Sequence, residues 1–91
     1  MTGGGTETPE IRRKRLRMRA WHRGIKEMDL ILGGYADAHL QTLDGPALDT
    51  FEAALEENDH DLFAWVTGRA EAPARYAELV AALGQGAAAA R

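Results

Sequence analysis

Three residues, Arg23, Gly24 and Glu27, combine side chains and backbone that could contact another molecule. Arg23 supplies a guanidinium and Glu27 a carboxylate, while Gly24 leaves bare backbone that a partner can approach closely. The same pattern also fits an ordinary junction between two helices, in which Arg23 and Gly24 end one helix and Glu27 lies in the first turn of the next. The residues alone therefore predict either a charged docking turn or a plain helix boundary.

Elsewhere the sequence shows no pattern typical of a catalytic or metal-binding group. The three histidines, His22, His39 and His60, lack the spacing of metal ligands, and there is no nucleophile motif or phosphate-binding glycine loop. The acidic residues from Asp59 fail the calcium-loop pattern because Ala64 occupies its sixth position, so helix capping by Asp59 explains them better. The chain also lacks cysteine. We therefore expect no metal, no bound cofactor and no enzymatic activity.

Charge is distributed unevenly along the chain, whose formal net charge is −3. Residues 1–26 carry eight basic and two acidic residues, whereas residues 27–91 carry twelve acidic and three basic ones. Such a dipolar layout predicts electrostatic steering of a partner. The basic segment Arg12–Arg19, with Met18 and Trp21, also fits a nucleic-acid-binding helix. The acidic remainder argues against a general nucleic-acid binder, and a partner with an acidic surface fits the basic segment equally well.

Apolar spacing and cap signals predict five short helices and no strand. In chain order these are a basic helix capped by Thr8 and reaching Trp21, a second from Gly24 to His39, a third capped by Asp44, a fourth from Asp59 to Gly68 and a fifth from Pro73 to Gly84. The second helix contains Gly33-Gly34, and each glycine costs about 1 kcal/mol relative to alanine. This pair therefore predicts either an early helix end or another backbone packed closely against the helix.

A chain of 91 residues makes one small domain. We assign residues 1–8 to a disordered N-terminal segment, 9–84 to an all-α five-helix domain and 85–91 to a frayed alanine-rich tail. Leu62, Phe63 and Trp65 are expected in its core. The N-terminus lacks the apolar part of a secretory signal, and no apolar run approaches the roughly 20 residues that span a bilayer. We expect a monomer in a bacterial cytoplasm.

Two motifs, in this order, resemble the succinate dehydrogenase assembly factor 2 / SdhE family. The first is Trp21-His22-Arg23-Gly24 followed by Glu27 and Asp29-Leu30, and the second is Asp59-x-Asp61-Leu62-Phe63-x-Trp65. The resemblance runs from about Arg15 to Pro73. The chain departs from the family at His60, where a proline is usual, and in Asp44-Gly45-Pro46-Ala47, which replaces a more acidic capping segment. Both departures affect helix starts rather than the first motif.

The resemblance implies a five-helix fold and an assembly chaperone. Such a chaperone binds the flavoprotein subunit of succinate dehydrogenase, or of fumarate reductase, and promotes its covalent flavinylation with FAD. Arg23, Gly24 and Glu27 would lie on the contacting surface, with Trp21, His22 and Lys26 as neighbours. No FAD is assigned to the isolated chain, because its residues form no recognisable flavin pocket. The alternatives are a small nucleic-acid-binding module that uses the basic helix and an antitoxin-like protein.

Overall fold

The computed structural model describes residues 7–89, with side chains described to residue 86, and its regular structure is entirely helical. The five α-helices are α1 (Pro9–Trp21), α2 (Lys26–His39), α3 (Gly45–Leu55), α4 (Asp59–Val66) and α5 (Ala77–Ala89). Two short 3-10 turns, Leu40–Thr42 and Ala74–Tyr76, follow α2 and precede α5. None of the described helices is long and apolar enough to cross a membrane. The predicted all-α fold is confirmed for this part of the chain.

Two predicted helix starts are confirmed by their hydrogen bonds. The hydroxyl of Thr8 accepts the backbone N–H of Ile11 at 3.2 Å at the start of α1. The carboxylate of Asp44 accepts the backbone N–H of Ala47 at 2.9 Å at the start of α3. A proline lies in the first turn of each helix, where its missing N–H leaves no hydrogen bond unmade. These local signals fix where α1 and α3 begin.

The start of α4 differs from its prediction. Its N-cap is Asn58, whose side-chain oxygen accepts the backbone N–H of His60 at 2.7 Å. The assignment of Asp59 as the cap was wrong, because an asparagine one residue earlier is an equally good cap and already fills the position. Asp59 is instead the first helical residue, and its carboxylate pairs with Arg23.

The last helix runs further than its prediction. Helix α5 continues through Gly84 to Ala89, so the predicted helix end at Gly84 was wrong. A Cβ at Gly84 would lie 3.4 Å from the carbonyl oxygen of Val66, at the limit of ordinary van der Waals contact, so α5 passes close to the end of α4 at this point. Residues 1–6 of the predicted disordered segment, and residues 90–91 of the predicted frayed tail, lie outside the described residues. The domain limits stay a prediction.

The two glycines in the middle of α2 are both helical, so the helix does not end early. Gly33 faces the indole of Trp21, and a Cβ built there would lie 2.7 Å from Cε3 of that ring. Its close neighbour is therefore a side chain rather than the backbone that was expected. Around Gly34 nothing in the described structure lies within 4 Å of such a Cβ. Only Gly33 is thus required by the packing of α1 on α2.

A single core lies between the five helices. Its buried residues are Leu16, Ala20, Met28, Leu32, Ala36, Leu40, Leu48, Phe51, Ala54, Leu55, Leu62, Tyr76, Leu79, Val80 and Leu83. Phe63 and Trp65 pack against this core while only partly buried. From α1 only Leu16 and Ala20 are buried. Apolar burial therefore supplies only part of the attachment of α1, and polar contacts supply the rest.

Candidate partner-binding turn

The turn between α1 and α2 is built around Gly24. Its φ is +94°, in the left-handed region where an L side chain is strained and glycine is not. A Cβ at this position would meet no described atom within 4 Å. The backbone conformation, and not crowding within the chain, therefore requires glycine here. The result is a stretch of bare backbone that faces open space.

Asp29 ties this turn to the first turn of α2. Its carboxylate accepts the backbone N–H of Arg23 at 2.6 Å, and its own N–H donates to the carbonyl of Ile25 at 2.9 Å. Ile25 occupies the N-cap of α2 and makes no side-chain cap hydrogen bond, although polar residues are strongly preferred at that position. The carboxylate of Asp29, in the first turn of α2, thus stabilises the turn by accepting the backbone N–H of Arg23.

The guanidinium of Arg23 reaches across the fold to α3 and α4. Its Nε donates to Oδ1 of Asp59 at 2.9 Å, and its Nη2 donates to the carbonyl of Glu57 at 2.9 Å. Its Nη1 donates to the carbonyl of Leu55. The carbonyl of Leu55, the last residue of α3, and the carbonyl of Glu57, in the link to α4, are satisfied in this way. One side chain therefore joins the end of α3, the start of α4 and the turn that contains Gly24.

The side chain of Arg23 is directed into the fold. The Arg23 side chain is only 11% exposed, and that of its partner Asp59 is 17% exposed. A guanidinium in that position stabilises the turn through charge-assisted hydrogen bonds, and little of it is offered to another molecule. Arg23 is thus a positioning residue for Gly24, while its assignment as a contact residue stays a prediction.

Glu27, His22 and Lys26 lie on the outside of the same turn. All three are exposed, and within residues 7–89 none of their side chains makes an ion pair or a hydrogen bond. Glu27 lies in the first turn of α2, where the helix dipole favours a carboxylate. His22 follows the last residue of α1, and its backbone N–H donates to the carbonyl of Arg19 at 3.3 Å. These three side chains are available to a partner.

Trp21 differs from the other predicted contact residues because it is held between the two helices. Its ring covers Gly33, and its Nε1–H donates to Oδ1 of Asp37 at 3.3 Å. Hydrogen bonds from Arg17, and then from Trp21, lower the pKa of Asp37 below its usual value. The indole is half-buried, so its first role is to fix the angle at which α1 meets α2.

The arginines of α1 lie against carboxylates and carbonyls of neighbouring elements. Arg12 pairs with Asp49 at 2.6 Å and Glu52 at 2.8 Å, Arg15 with Glu7 at 2.7 Å and Glu52 at 3.1 Å, Arg17 with Asp37 at 2.6 Å, and Arg19 with Glu56. Arg13 donates to the carbonyls of Leu40 at 3.0 Å and Leu43 at 2.9 Å. Of the basic side chains at positions 12–19, Lys14 alone has no such contact within the described residues.

Glu52 lies between two of these arginines. Burial of its carboxyl opposes ionisation, but hydrogen bonds from Arg12 and Arg15 outweigh that effect and lower the pKa of Glu52. A hydrogen bond from Arg15 likewise lowers the pKa of Glu7. Both carboxylates therefore stay charged at neutral pH, and the carboxylate of Glu52 holds α1 on α3.

The charge asymmetry seen along the sequence is therefore largely cancelled in space. Most of the basic residues of α1 face acidic residues on α3 and α2 at ion-pair distance. The predicted steering field is correspondingly weak, because opposite charges a few ångströms apart cancel at longer range. A continuous set of free guanidinium groups, which phosphate binding would need, is not offered by the described residues.

Sequence reasoning missed the partners of Arg23. Asp59 was recognised only as a capping residue, and the carbonyls of Leu55 and Glu57 carry no side-chain signal at all. Asp59 is 36 residues from Arg23, so no local spacing could connect them. A possible signal was the presence of two good capping residues in a row, Asn58 and Asp59, since one helix start needs only one.

Comparison with known proteins assigns the family. Residues 14–87 match the family model described as "Flavinator of succinate dehydrogenase". The chain belongs to this flavinator family. The match includes all of the turn, most of α1 and the whole of α2, α3 and α4, so the resemblance inferred from the two sequence motifs is confirmed.

Individual relatives of the flavinator family agree with this assignment. The chain is 39% identical to the FAD assembly factor SdhE of Acetobacter pasteurianus over 72 residues, which are 79% of this chain and 66% of that protein. It is 41% identical over 61 residues to the mitochondrial succinate dehydrogenase assembly factor 2 of Candida glabrata, covering 67% of this chain and 40% of that protein. A similar factor of Mycosarcoma maydis is 39% identical over 75 residues, which are 82% of this chain and 32% of that protein. The chain thus spans between about a third and two thirds of the length of these relatives.

Proposed function

We propose that this chain is an assembly chaperone that binds the flavoprotein subunit of succinate dehydrogenase and promotes its covalent flavinylation with FAD. The observation that carries the proposal is the Gly24 turn in a member of the flavinator family. The turn presents bare backbone at a positive φ of 94°, and the exposed side chains of Glu27, His22 and Lys26 surround it. Arg23 and Asp29 hold it in one conformation, and a preorganised surface loses less entropy on binding.

The proposed role is positioning rather than catalysis. The chemistry of covalent attachment joins a histidine of the flavoprotein to a methyl group of its flavin, and it belongs to the flavin and its own apoprotein. The chaperone would hold the immature subunit in a geometry that favours this step, since positioning alone can remove a large part of a reaction barrier. Glu27 would supply a negative charge opposite a cationic group of the subunit.

Co-expression with the client tests the proposal directly. The flavoprotein subunit is produced in cells that lack their own assembly factor, with or without this chain, and covalent flavin is measured by fluorescence of the denatured subunit in a gel. We expect strong fluorescence only when this chain is present, and co-purification of the two proteins. Gly24→Arg should abolish both effects, because its long side chain fills the space in front of the turn. Equal fluorescence with and without the chain would overturn the proposal.

A second client, the flavoprotein of fumarate reductase, and a location in the cytoplasm both stay predictions. The named relatives include mitochondrial factors as well as a bacterial one. Nucleic-acid binding is disfavoured by the engagement of the α1 arginines. An antitoxin role has no supporting observation in the fold.

A further inference from the structure

Helix α2 and its N-cap contain three exposed residues of kinds that are unfavourable at such positions of a helix in contact with solvent. Leu30 is a large apolar residue that is 56% exposed. Ile25, at the N-cap, is 41% exposed and cannot cap the helix. Gly34 lies in the helix interior, where glycine is unfavourable, although nothing in the described structure would touch a side chain there. Packing among the residues that the structure describes explains none of the three.

Two of these residues share a face with Glu27. Positions 27, 30 and 34 are separated by three and four residues, so their side chains follow one another along a single side of the helix. The buried residues of α2, which include Met28, Leu32 and Ala36, lie on its other side. We call the side defined by Glu27, Leu30 and Gly34 the outer face. It starts at the Gly24 turn and extends along α2 by about 10 Å, given a rise of about 1.5 Å per residue.

We infer that the outer face of α2 continues the contact made by the Gly24 turn and packs against the same flavoprotein subunit, an inference that rests on the proposed function. The contact places an apolar surface of the subunit on Leu30 and brings that surface directly onto the backbone at Gly34. A cationic group of the subunit lies opposite Glu27. Glycine at position 34 serves the complex, because a side chain there would hold the two surfaces apart.

Two features favour the flavoprotein subunit as the partner of the outer face: the position of this face next to the Gly24 turn, and its unpaired negative charge. The outer face is contiguous with the proposed contact turn, so a subunit seated on Gly24 and Glu27 meets Leu30 one helical turn further on. The arginines of α1, the helix before the Gly24 turn, form ion pairs with acidic residues of the same chain. Glu27, in contrast, has no ion-pair partner among the described residues.

Gly34→Gln separates this role from a structural one. Glutamine is a better helix former than glycine, and its side chain enters open space, so the variant should melt at a higher temperature than the parent. If the subunit packs on this backbone, the same variant should bind it at least tenfold more weakly, a loss typical of a disrupted interface residue. Its yield of covalent flavin should fall accordingly. A gain in stability together with a loss of function cannot arise from a damaged fold.

Gly86→Gln is the matched control. Gly86 is also helical and exposed, and a Cβ there also meets nothing within 4 Å, but it lies on α5, away from the outer face in sequence. This variant should retain parental binding and flavinylation. Leu30→Gln provides a second test, with Met18→Gln as its control, because Met18 is 60% exposed on α1. Leu30→Gln should weaken binding about tenfold, and Met18→Gln should not.

The measurements distinguish failure of this inference from failure of the proposed function. Affinity for the purified flavoprotein subunit, covalent flavin yield and the molar mass of the free chain are measured for every variant. If Gly24→Arg abolishes binding while Gly34→Gln and Leu30→Gln bind as the parent does, the outer face is not part of the interface. If the parent chain is a dimer in solution and Leu30→Gln converts it to a monomer, the outer face joins two copies of this chain and the inference is overturned. If Gly24→Arg itself has no effect, the proposed function fails.

Discussion

The guanidinium of Arg23 lies 2.9 Å from the carboxylate of Asp59, between the end of α3 and the start of α4. Arg23 directly precedes the glycine whose backbone forms the tip of the turn. The conformation of that turn is therefore coupled to the packing of two helices that are distant in sequence. From the sequence Arg23 was predicted to contact a partner. In the fold its side chain connects the turn to α3 and α4.

Replacing Arg23 should destabilise the fold. Arg23→Ala leaves the carboxylate of Asp59 and two backbone carbonyls without their donor in a largely buried place, and we expect a loss of about 2–3 kcal/mol in unfolding free energy. Arg23→Lys should recover only part of it, because one ammonium cannot reproduce the fork of donors. Urea denaturation measures both variants.

The double variant Arg23→Ala/Asp59→Ala isolates the pair. We expect it to lose less stability than the sum of the two single variants, since each single change leaves one partner unpaired. Additive losses would show that the 2.9 Å contact between Arg23 and Asp59 contributes no coupling energy. An unchanged urea midpoint for Arg23→Ala would contradict the stabilising role of Arg23.

The two adjacent glycines of α2 should respond in opposite directions to alanine. A Cβ at Gly33 overlaps the ring of Trp21, so Gly33→Ala should cost about 1–3 kcal/mol through overpacking. Gly34→Ala enters open space and should stabilise the helix by about 1 kcal/mol. Thermal melts of the two variants compare them under identical conditions. A shift of both melting temperatures in the same direction would contradict the packing of Trp21 on Gly33.

Stability should fall in acid because the carboxylates paired with α1 have lowered pKa values. The pKa of Glu52, of Glu7 and of Asp37 lies below the ordinary values of 4.5 for glutamate and 3.8 for aspartate. A lowered folded-state pKa means that the unfolded chain binds more protons as the pH falls. The ion pairs therefore contribute fully above about pH 5, and their contribution disappears as the pH falls through the lowered values.

Urea midpoints measured from pH 7 to pH 2 check this dependence. Glu52→Gln should lower the midpoint at pH 7 and flatten its decline in acid, since one of the titrating groups is gone. Thr50→Val, which changes a neighbouring uncharged residue of α3, should keep the parental slope. A parental slope in Glu52→Gln would show that Glu52 is not a source of the acid sensitivity.

The basic helix should bind nucleic acid weakly or not at all. Its arginines are paired within the chain, and binding phosphates would require these pairs to be broken. A gel shift with duplex DNA and with single-stranded RNA at low salt should therefore show no complex at micromolar concentrations. A complex that Arg12→Gln and Arg15→Gln abolish would establish the basic helix as a nucleic-acid surface and overturn the assignment of its arginines to α3.

The sequence by itself determined the helical class, the starts of α1 and α3, and the family. Caps such as Thr8 and Asp44 act on N–H groups three residues away, so a local pattern is enough to find them. When two adjacent residues can both cap a helix, as Asn58 and Asp59 can, the local pattern does not say which one is the N-cap. The glycine turn was also identified from local signals, because a positive φ favours glycine regardless of what surrounds it.

Only the tertiary structure decided how charge and close packing are used. The sequence separates basic residues from acidic ones, yet folding brings Arg12 to Glu52 across 40 positions and Arg23 to Asp59 across 36. Likewise Gly33 is explained only when the indole of Trp21 is placed on it. The physical reason is common to these cases: an ion pair or a steric contact depends on distances in space, which the path of the whole chain sets and no short window of sequence contains.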